Sequence, residues 1–298
     1  MHDVVIIGGS FAGLAAALQI ARARRNVLVI DSKKPRNRFA AHSHGFLGQD
    51  GRSPATIMND ARAELLAYPT AHFIEGEVES VGGELDQFEV ILKSGELLTA
   101  RRLILATGMI DQLPDIPGLK ERWGTSVLHC PYCHGYEVAG RKLGVFGNHP
   151  MSPHQAALIQ DWGPTTYFTQ GIYEPDEEQL ANLTTRGIKI ESTPIVQFLG
   201  MGTGLEAVRL KDGRILYLDA IFTATTLRFA SPFAEQLGCE IDEGPLGPYL
   251  RVDNWKMTTV PGVYGAGDAS NPMQNATLAA ASGVMAGVGA HRSLIFGF

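Results

Sequence analysis

The stretch "DVVIIGGSFAGLAAALQIARARRNVLVID", residues 3–31, decides the fold. Val4–Ile7 is an unbroken apolar run, as expected of a strand covered on both faces. Gly8-Gly9-Ser10-Phe11-Ala12-Gly13 follows, then a helix rich in Ala and Leu, then a second strand, Val27–Ile30, ending at Asp31. The acid falls 18 residues after Gly13. This is the spacing of a dinucleotide-binding βαβ unit: Gly8 for the tight turn, Gly13 for close helix–strand packing, a helix N-terminus for a pyrophosphate, and Asp31 for a ribose. Ser10 replaces the middle Gly and is still small.

Working outward, the same unit recurs in "RKLGVFGNHPMSPHQAALIQDWGPTTYFTQG", residues 141–171. Gly147 aligns with Gly8, His149 with Ser10 and Ser152 with Gly13, and the second strand, Thr165–Thr169, ends in Thr169-Gln170 with neither acid nor Arg. The closing strands also repeat: "RRLILATG" (101–108) and "LDAIFTATT" (218–226), with Thr226 where Gly108 stands. Ser152-Pro153 reads as an N-cap followed by Pro at the first helical position, so the helix should form. The repeat keeps the scaffold and loses the ligand contacts.

Residues 72–81, 87–104, 187–202 and 205–222 read as β meander, and 174–187 as a helix with acids in its first turn. "PDIPGLKERWG" (114–124) and the region near 227–232 read as linkers. The 298 residues suit roughly two domains. With 45% hydrophobic and 19% charged residues, the chain can build a core and is not disordered. A net charge of −6 without a basic block argues against nucleic acid. No basic leader precedes the apolar start, and "ATLAAASGVMAGVGA" (276–290) is too short to span a bilayer. A cytoplasmic location and no membrane partner are expected.

"HCPYCHGYE" (129–137) carries the chemistry. Four readings compete. Cys130-x-x-Cys133-His134 matches haem attachment by letters, which suits an exported protein. Zinc would use His129, Cys130, Cys133 and His134, but His129 and Cys130 are adjacent and point apart. Inert buried thiols are the bland reading. A redox dithiol is the reading preferred: no metal is expected, Pro131 starts a helix at Cys130, where the dipole favours a thiolate, and His134 is a candidate acid–base group. His129 could serve instead. Cys239 has no partner in sequence and reads as a core thiol.

The chain resembles the low-molecular-weight thioredoxin reductases over nearly its full length, through "VVIIGGSFAGLAAAL" with Asp31, "LILATG", "HCPYCHGYE" and "VPGVYGAGDASNPMQNATLAAASG". "PRNRFAAHSHGFLGQDG" (35–51) and "CPYCHG" resemble more particularly the flavin-dependent dithiol oxidases. The resemblance implies an α/β fold of two Rossmann-like three-layer domains, with an FAD domain (1–115 and 231–298) interrupted by an inserted middle domain (116–230). It implies FAD contacts from Gly8, Gly9, Ser10, Phe11, Ala12, Gly13, Asp31, Ser32, Lys33, Arg38, His44, Val78, Ala106, Thr107, Gly108, Gly267, Asp268, Gln274, Asn275 and Ala276. Asp268 would hold the ribityl hydroxyls, and 274–276 the flavin ring. Cys133 would face the flavin, Cys130 would exchange with substrate, and His134 would take the acid–base position.

The departure lies in the middle domain, which lacks the family's glycine-rich loop and phosphate-binding Arg. The expectation is an FAD-dependent dithiol/disulfide oxidoreductase that makes no efficient use of NADPH or NADH, against two alternatives: an NADPH-dependent thioredoxin reductase with an unusual loop, or a redox-sensing flavoprotein. Its substrate would be a thioredoxin-like protein or a small dithiol, and its electron partner oxygen, another flavin or ferredoxin. A homodimer is expected, with the Cys pair resting at the flavin. The vacated cleft would be empty or hold a second flavin nucleotide stacked on Tyr132 or Tyr136. The ending "LIFGF" reads first as a mobile tail; the alternative is an aromatic cover, Phe296 or Phe298, over a flavin or the cleft.

Overall fold

The N-terminal apolar run becomes β1 (His2–Ile7), in which Val4, Val5 and Ile6 have no exposed surface. The structure is a computed structural model describing residues 1–297. After β1 come α1 (Phe11–Arg22), β2 (Val27–Asp31), α2 (Pro54–Leu66), β3 (Ala71–Glu75), β4 (Val78–Glu84), β5 (Gln87–Leu92) and β6 (Leu97–Leu105). β1 runs parallel to both β2 and β6, with Ile7 opposite Ile30 on one side and Leu105 on the other. Residues 72–81 are not one meander. β3 adds parallel to β2 after the α2 crossover, whereas β4, β5 and β6 form the antiparallel part of the sheet. The break falls at Gly76, whose N–H is held by the Asp31 carbonyl at 2.9 Å.

Next come β7 (Met109–Gln112), β8 (Val127–Leu128), α3 (Pro131–His134), β9 (Leu143–Phe146), α4 (Ser152–Ile159), β10 (Thr165–Phe168), α5 (Glu177–Thr185), β11 (Lys189–Glu191), β12 (Ile195–Leu199), β13 (Ala207–Leu210), β14 (Ile215–Tyr217) and β15 (Ala220–Thr223). A parallel sheet runs β11-β10-β9-β15-β8, and β12-β13-β14 is antiparallel. The order β11-β10-β9-β15 repeats β3-β2-β1-β6, so the duplication read in sequence is a duplication of topology. A capping box between Asp176 and Gln179 starts α5.

Residues 114–124 are packed, contrary to the linker reading. Leu119 is fully buried, and buried Arg122 donates to the carbonyls of Gly118, Gly200 and Gly204. A guanidinium with three backbone acceptors satisfied inside the fold holds this stretch in place.

The chain ends with β16 (Thr226–Phe229), α6 (Phe233–Gln236), β17 (Ile241–Gly244), β18 (Gly247–Leu250), β19 (Val263–Gly265) and α7 (Ala276–Phe296). β19 joins β6 in parallel. α7 lies against α1 at backbone distance: a Cβ on Gly283 would stand 2.1 Å from the Ala12 carbonyl oxygen, and one on Gly287 2.6 Å from that of Ala16. Near the end, Arg292 sits over Trp255 (4.6 Å) and Phe296 (5.8 Å). Phe296 therefore belongs to a helix rather than to a tail, and Phe298 lies outside the described residues.

The chain divides into two units. One gathers Met1–Arg38, Pro54–Ile110 and Leu227–Phe298; the other gathers Phe39–Ser53 and Asp111–Thr226. The insertion thus enters at 110/111 and leaves at 226/227, and residues 39–53 go with it. Both units are α/β with a Rossmann-like parallel sheet. No helix among the described residues is long and apolar enough to cross a membrane.

Candidate active site

In the first unit the Gly8–Gly13 turn is a backbone cradle. Gly8 has φ +109°, and a Cβ there would stand 2.1 Å from the Ala106 carbonyl oxygen. On Gly13 a Cβ would stand 1.8 Å from the Gly8 carbonyl oxygen. Asp31 accepts the Gly9 N–H at 3.0 Å, which fixes its carboxylate at the mouth of the turn. Ser10 takes the N-cap position of α1 and makes no side-chain cap bond. Gly267 (φ +73°) approaches Ala12, and its N–H is held by the Ser282 hydroxyl at 2.7 Å. This brings Asp268 to the same helix end, oriented by Arg36 at 3.2 Å. At the start of α7, Asn275 accepts the N–H groups of Thr277 and Leu278 at 2.8 and 3.3 Å.

In the second unit Cys130 and Cys133 form a disulfide with Cα atoms 5.3 Å apart. Cys130 is the N-cap of α3, and Pro131 follows it, as the sequence suggested. Gly135 is required here: a Cβ would stand 2.7 Å from the Trp162 ring, which packs edge-on to Tyr132 at 5.7 Å. Tyr132 and Tyr136 are exposed, 71% and 85%. His134 is half-buried, and burial pushes its imidazole below the ordinary histidine range; Glu137 opposes this and His44 adds to it. The ring is therefore neutral near pH 7 and able to accept a proton. His44 lies on residues 39–53 within this unit, with Nε2 3.3 Å from Glu137 Oε1 and Nδ1 3.6 Å from Asp50 Oδ1.

The second βαβ loop is closed by its own side chains. The His149 N–H donates to Ser152 Oγ (3.2 Å) and the Met151 N–H to His149 Nδ1 (3.1 Å), while Pro150 has no N–H. The cap of α4 is Met151, with Ser152 the first helical residue, one position earlier than the sequence suggested. Thr169 is buried, donates to Glu174 (2.5 Å) and accepts from Gly171 N–H (3.1 Å). Gln170 Oε1 accepts the Ile195 N–H.

Residues 2–283 match the description of the pyridine nucleotide-disulphide oxidoreductases. The chain belongs to that family. It is 32% identical over 306 residues to thioredoxin reductase tcpT of Claviceps purpurea, covering 98% of this chain and 94% of the relative. Among solved structures, an oxidoreductase from Agrobacterium tumefaciens is 48% identical with a TM-score of 0.95, each chain covered to 99%. HlmI is 37% identical with a TM-score of 0.92, covering 99% of this chain and 92% of the other. The chain is accordingly a thioredoxin reductase-like, flavin-dependent disulfide oxidoreductase, and FAD is the cofactor the first unit's cradle fits.

Of the residues the sequence singled out for FAD, all but His44 fall in the first unit. Gly8, Gly9, Ser10, Ala12, Gly13, Asp31, Ala106, Gly267 and Asp268 come together around the turn and the α1 N-terminus. Elsewhere in this group Lys33 pairs with Glu75 at 2.6 Å, Arg38 donates to the Pro35 carbonyl, and Val78 opens β4 opposite Leu92. His44 groups instead with the Cys pair. Arg36 and Ser282 escaped the sequence reading. Both stand inside stretches that carry the resemblance, but each acts by orienting the 267–268 segment, a role that only the fold discloses. Cys239 is buried, its sulfur 3.5 Å from the Thr258 hydroxyl, and burial pushes its thiol up.

Proposed function

We propose that the protein oxidises dithiols to disulfides through Cys130–Cys133 and passes the electrons to FAD, with no efficient use of NADPH or NADH. The observation that carries the second half is the self-capped loop at 147–152. A pyrophosphate at a βαβ turn needs bare backbone N–H groups. Here two of them are already taken by Ser152 Oγ and His149 Nδ1, and a third is absent at Pro150. The Thr169 hydroxyl, near where a ribose would be read, is taken by Glu174. The same closure counts against a second flavin nucleotide in that unit.

The dithiol step follows from α3. A substrate thiolate attacks Cys130 Sγ, forming a mixed disulfide and releasing Cys133 as thiolate. The second substrate thiolate closes the product disulfide and releases Cys130. His134, kept neutral by burial, receives protons from the substrate thiols. When bound, FAD supplies the two-electron sink that restores the Cys130–Cys133 bond. Exposed Tyr132, between the two cysteines in sequence, and Tyr136, three residues beyond Cys133, offer apolar surface to a substrate.

The test is an anaerobic titration followed in the flavin absorbance. Dithiothreitol should bleach it stoichiometrically, and micromolar NADPH or NADH should not. Rapid bleaching by NADPH would instead establish an NADPH-dependent reductase.

A further inference from the structure

We propose that His44 and Glu137 form a positioning pair that governs how readily His134 takes a proton from the substrate, a role that rests on the dithiol reading above. The 39–53 segment is folded as a clasp within the second unit: Ser43 N–H to the Arg52 carbonyl and Gly51 N–H to the Ser43 carbonyl, both 2.8 Å. Asp50 Oδ1 accepts the Gly45 N–H at 2.9 Å. Gly45 comes up to the Tyr132 carbonyl, so the clasp rests on the turn that carries the cysteines. Phe39, at its start, packs on Gly124. Its geometry delivers His44 Nε2 to Glu137, three residues beyond His134.

The chemistry calls for such a pair. Closing a disulfide in a dithiol substrate removes two electrons, which go to FAD through the cysteines, and two thiol protons, which need acceptors. One imidazole holds one proton at a time. Its readiness depends on the charges that reach it: Glu137 from its own turn, which favours imidazolium, and His44 from the clasp, which opposes it. Those that reach His44 are Glu137, Asp50 and, at 6.3 Å between rings, His42, whose Nδ1 is 3.0 Å from the Gly51 carbonyl. Glu137 is thus shared between two histidines. Held by the His44 ring, the carboxylate pulls less on His134, which sets how readily that imidazole takes and gives up a proton.

The two partners act on His134 with opposite sign, and the test uses this. Imidazole NMR titrations of the oxidised protein should show the His134 midpoint lower in Glu137→Gln and higher in His44→Asn, each by about half a pH unit. The acid limb of anaerobic flavin reduction by dithiothreitol, followed from pH 5 to 9, should move the same two ways. Glu137→Asp should return toward wild type. Should Glu137→Gln or His44→Asn fail to fold, Glu137→Ala and His44→Gln carry the same comparison. Midpoints that stay put, or move together, overturn the pair while leaving the dithiol reading standing if wild type is reduced. Wild-type flavin untouched by dithiothreitol would sink the dithiol reading and this role with it.

Discussion

Gly13→Ala should remove the flavin site and much of the first unit's stability together. The new Cβ would stand 1.8 Å from the Gly8 carbonyl oxygen and 2.9 Å from its carbon. That falls short of ordinary contact by about 1.6 Å. α1 cannot retreat by that distance, because its other face is already at backbone contact with Gly283 and Gly287 of α7. Nor can Gly8 yield, since its own Cα side is against the Ala106 carbonyl. Overpacking that can relax costs about 1–3 kcal/mol. Pinned on both sides, this site should cost about 3 kcal/mol or more, lowering the melting temperature of a unit this size by about 6–12 °C. Gly82→Ala is the control, because nothing lies within 4 Å of its Cβ position and its φ is not positive. FAD content after purification and thermal melts are the assays. A Gly13→Ala protein that is fully yellow and melts with the Gly82→Ala control would refute the account of this turn.

Four further outcomes are expected. Cys130→Ser should leave a Cys133 thiolate that gives a long-wavelength absorbance band with oxidised FAD, and Cys133→Ser should abolish flavin reduction by dithiols; the band in the opposite variant would reverse the roles. Asp268→Ala should weaken FAD retention by about 1–3 kcal/mol, read by equilibrium dialysis, because it removes the acceptor that Arg36 orients. Because burial holds His134 below the ordinary histidine value of 6.5, the unfolded chain binds more protons than the folded one around and just below that value. Stability should thus be full above pH 7 and fall as pH drops through 6.5. His134→Gln should flatten that slope in thermal melts but not remove it, since burial shifts His291 in the same direction. Phe296→Ala should cost about 0.5–1 kcal/mol by releasing one ring of the Arg292 stack, with an unchanged flavin spectrum.

What the sequence disclosed was whatever is written locally. The Gly8–Gly13 turn with Asp31, its altered copy at 147–152, and Cys130-Pro131 as a helix start each depend on residues a few positions apart. What stayed hidden depends on where distant segments meet. Nothing local says that β3 returns parallel to β2, since strands 72–75 and 78–81 look alike whichever way they pair. The Pro- and Gly-marked stretch 114–124 looks loose until Arg122 finds carbonyls about eighty residues further on. His44 sits in a motif resembling a flavin-contacting segment, yet its ring is held by Glu137, ninety-three residues away.

The first unit's discontinuity orders events on the ribosome. The second unit is complete once Thr226 has been made, whereas the first still lacks β19 and α7, which lie in Leu227–Phe298. At ordinary elongation rates those last residues take about 4–14 s more. During that interval the face of α1 that packs on α7 is uncovered, because α7 has not yet been made. The nascent chain therefore passes through a state with a finished insert and an open flanking sheet, in which chaperone capture or early FAD loading would decide yield.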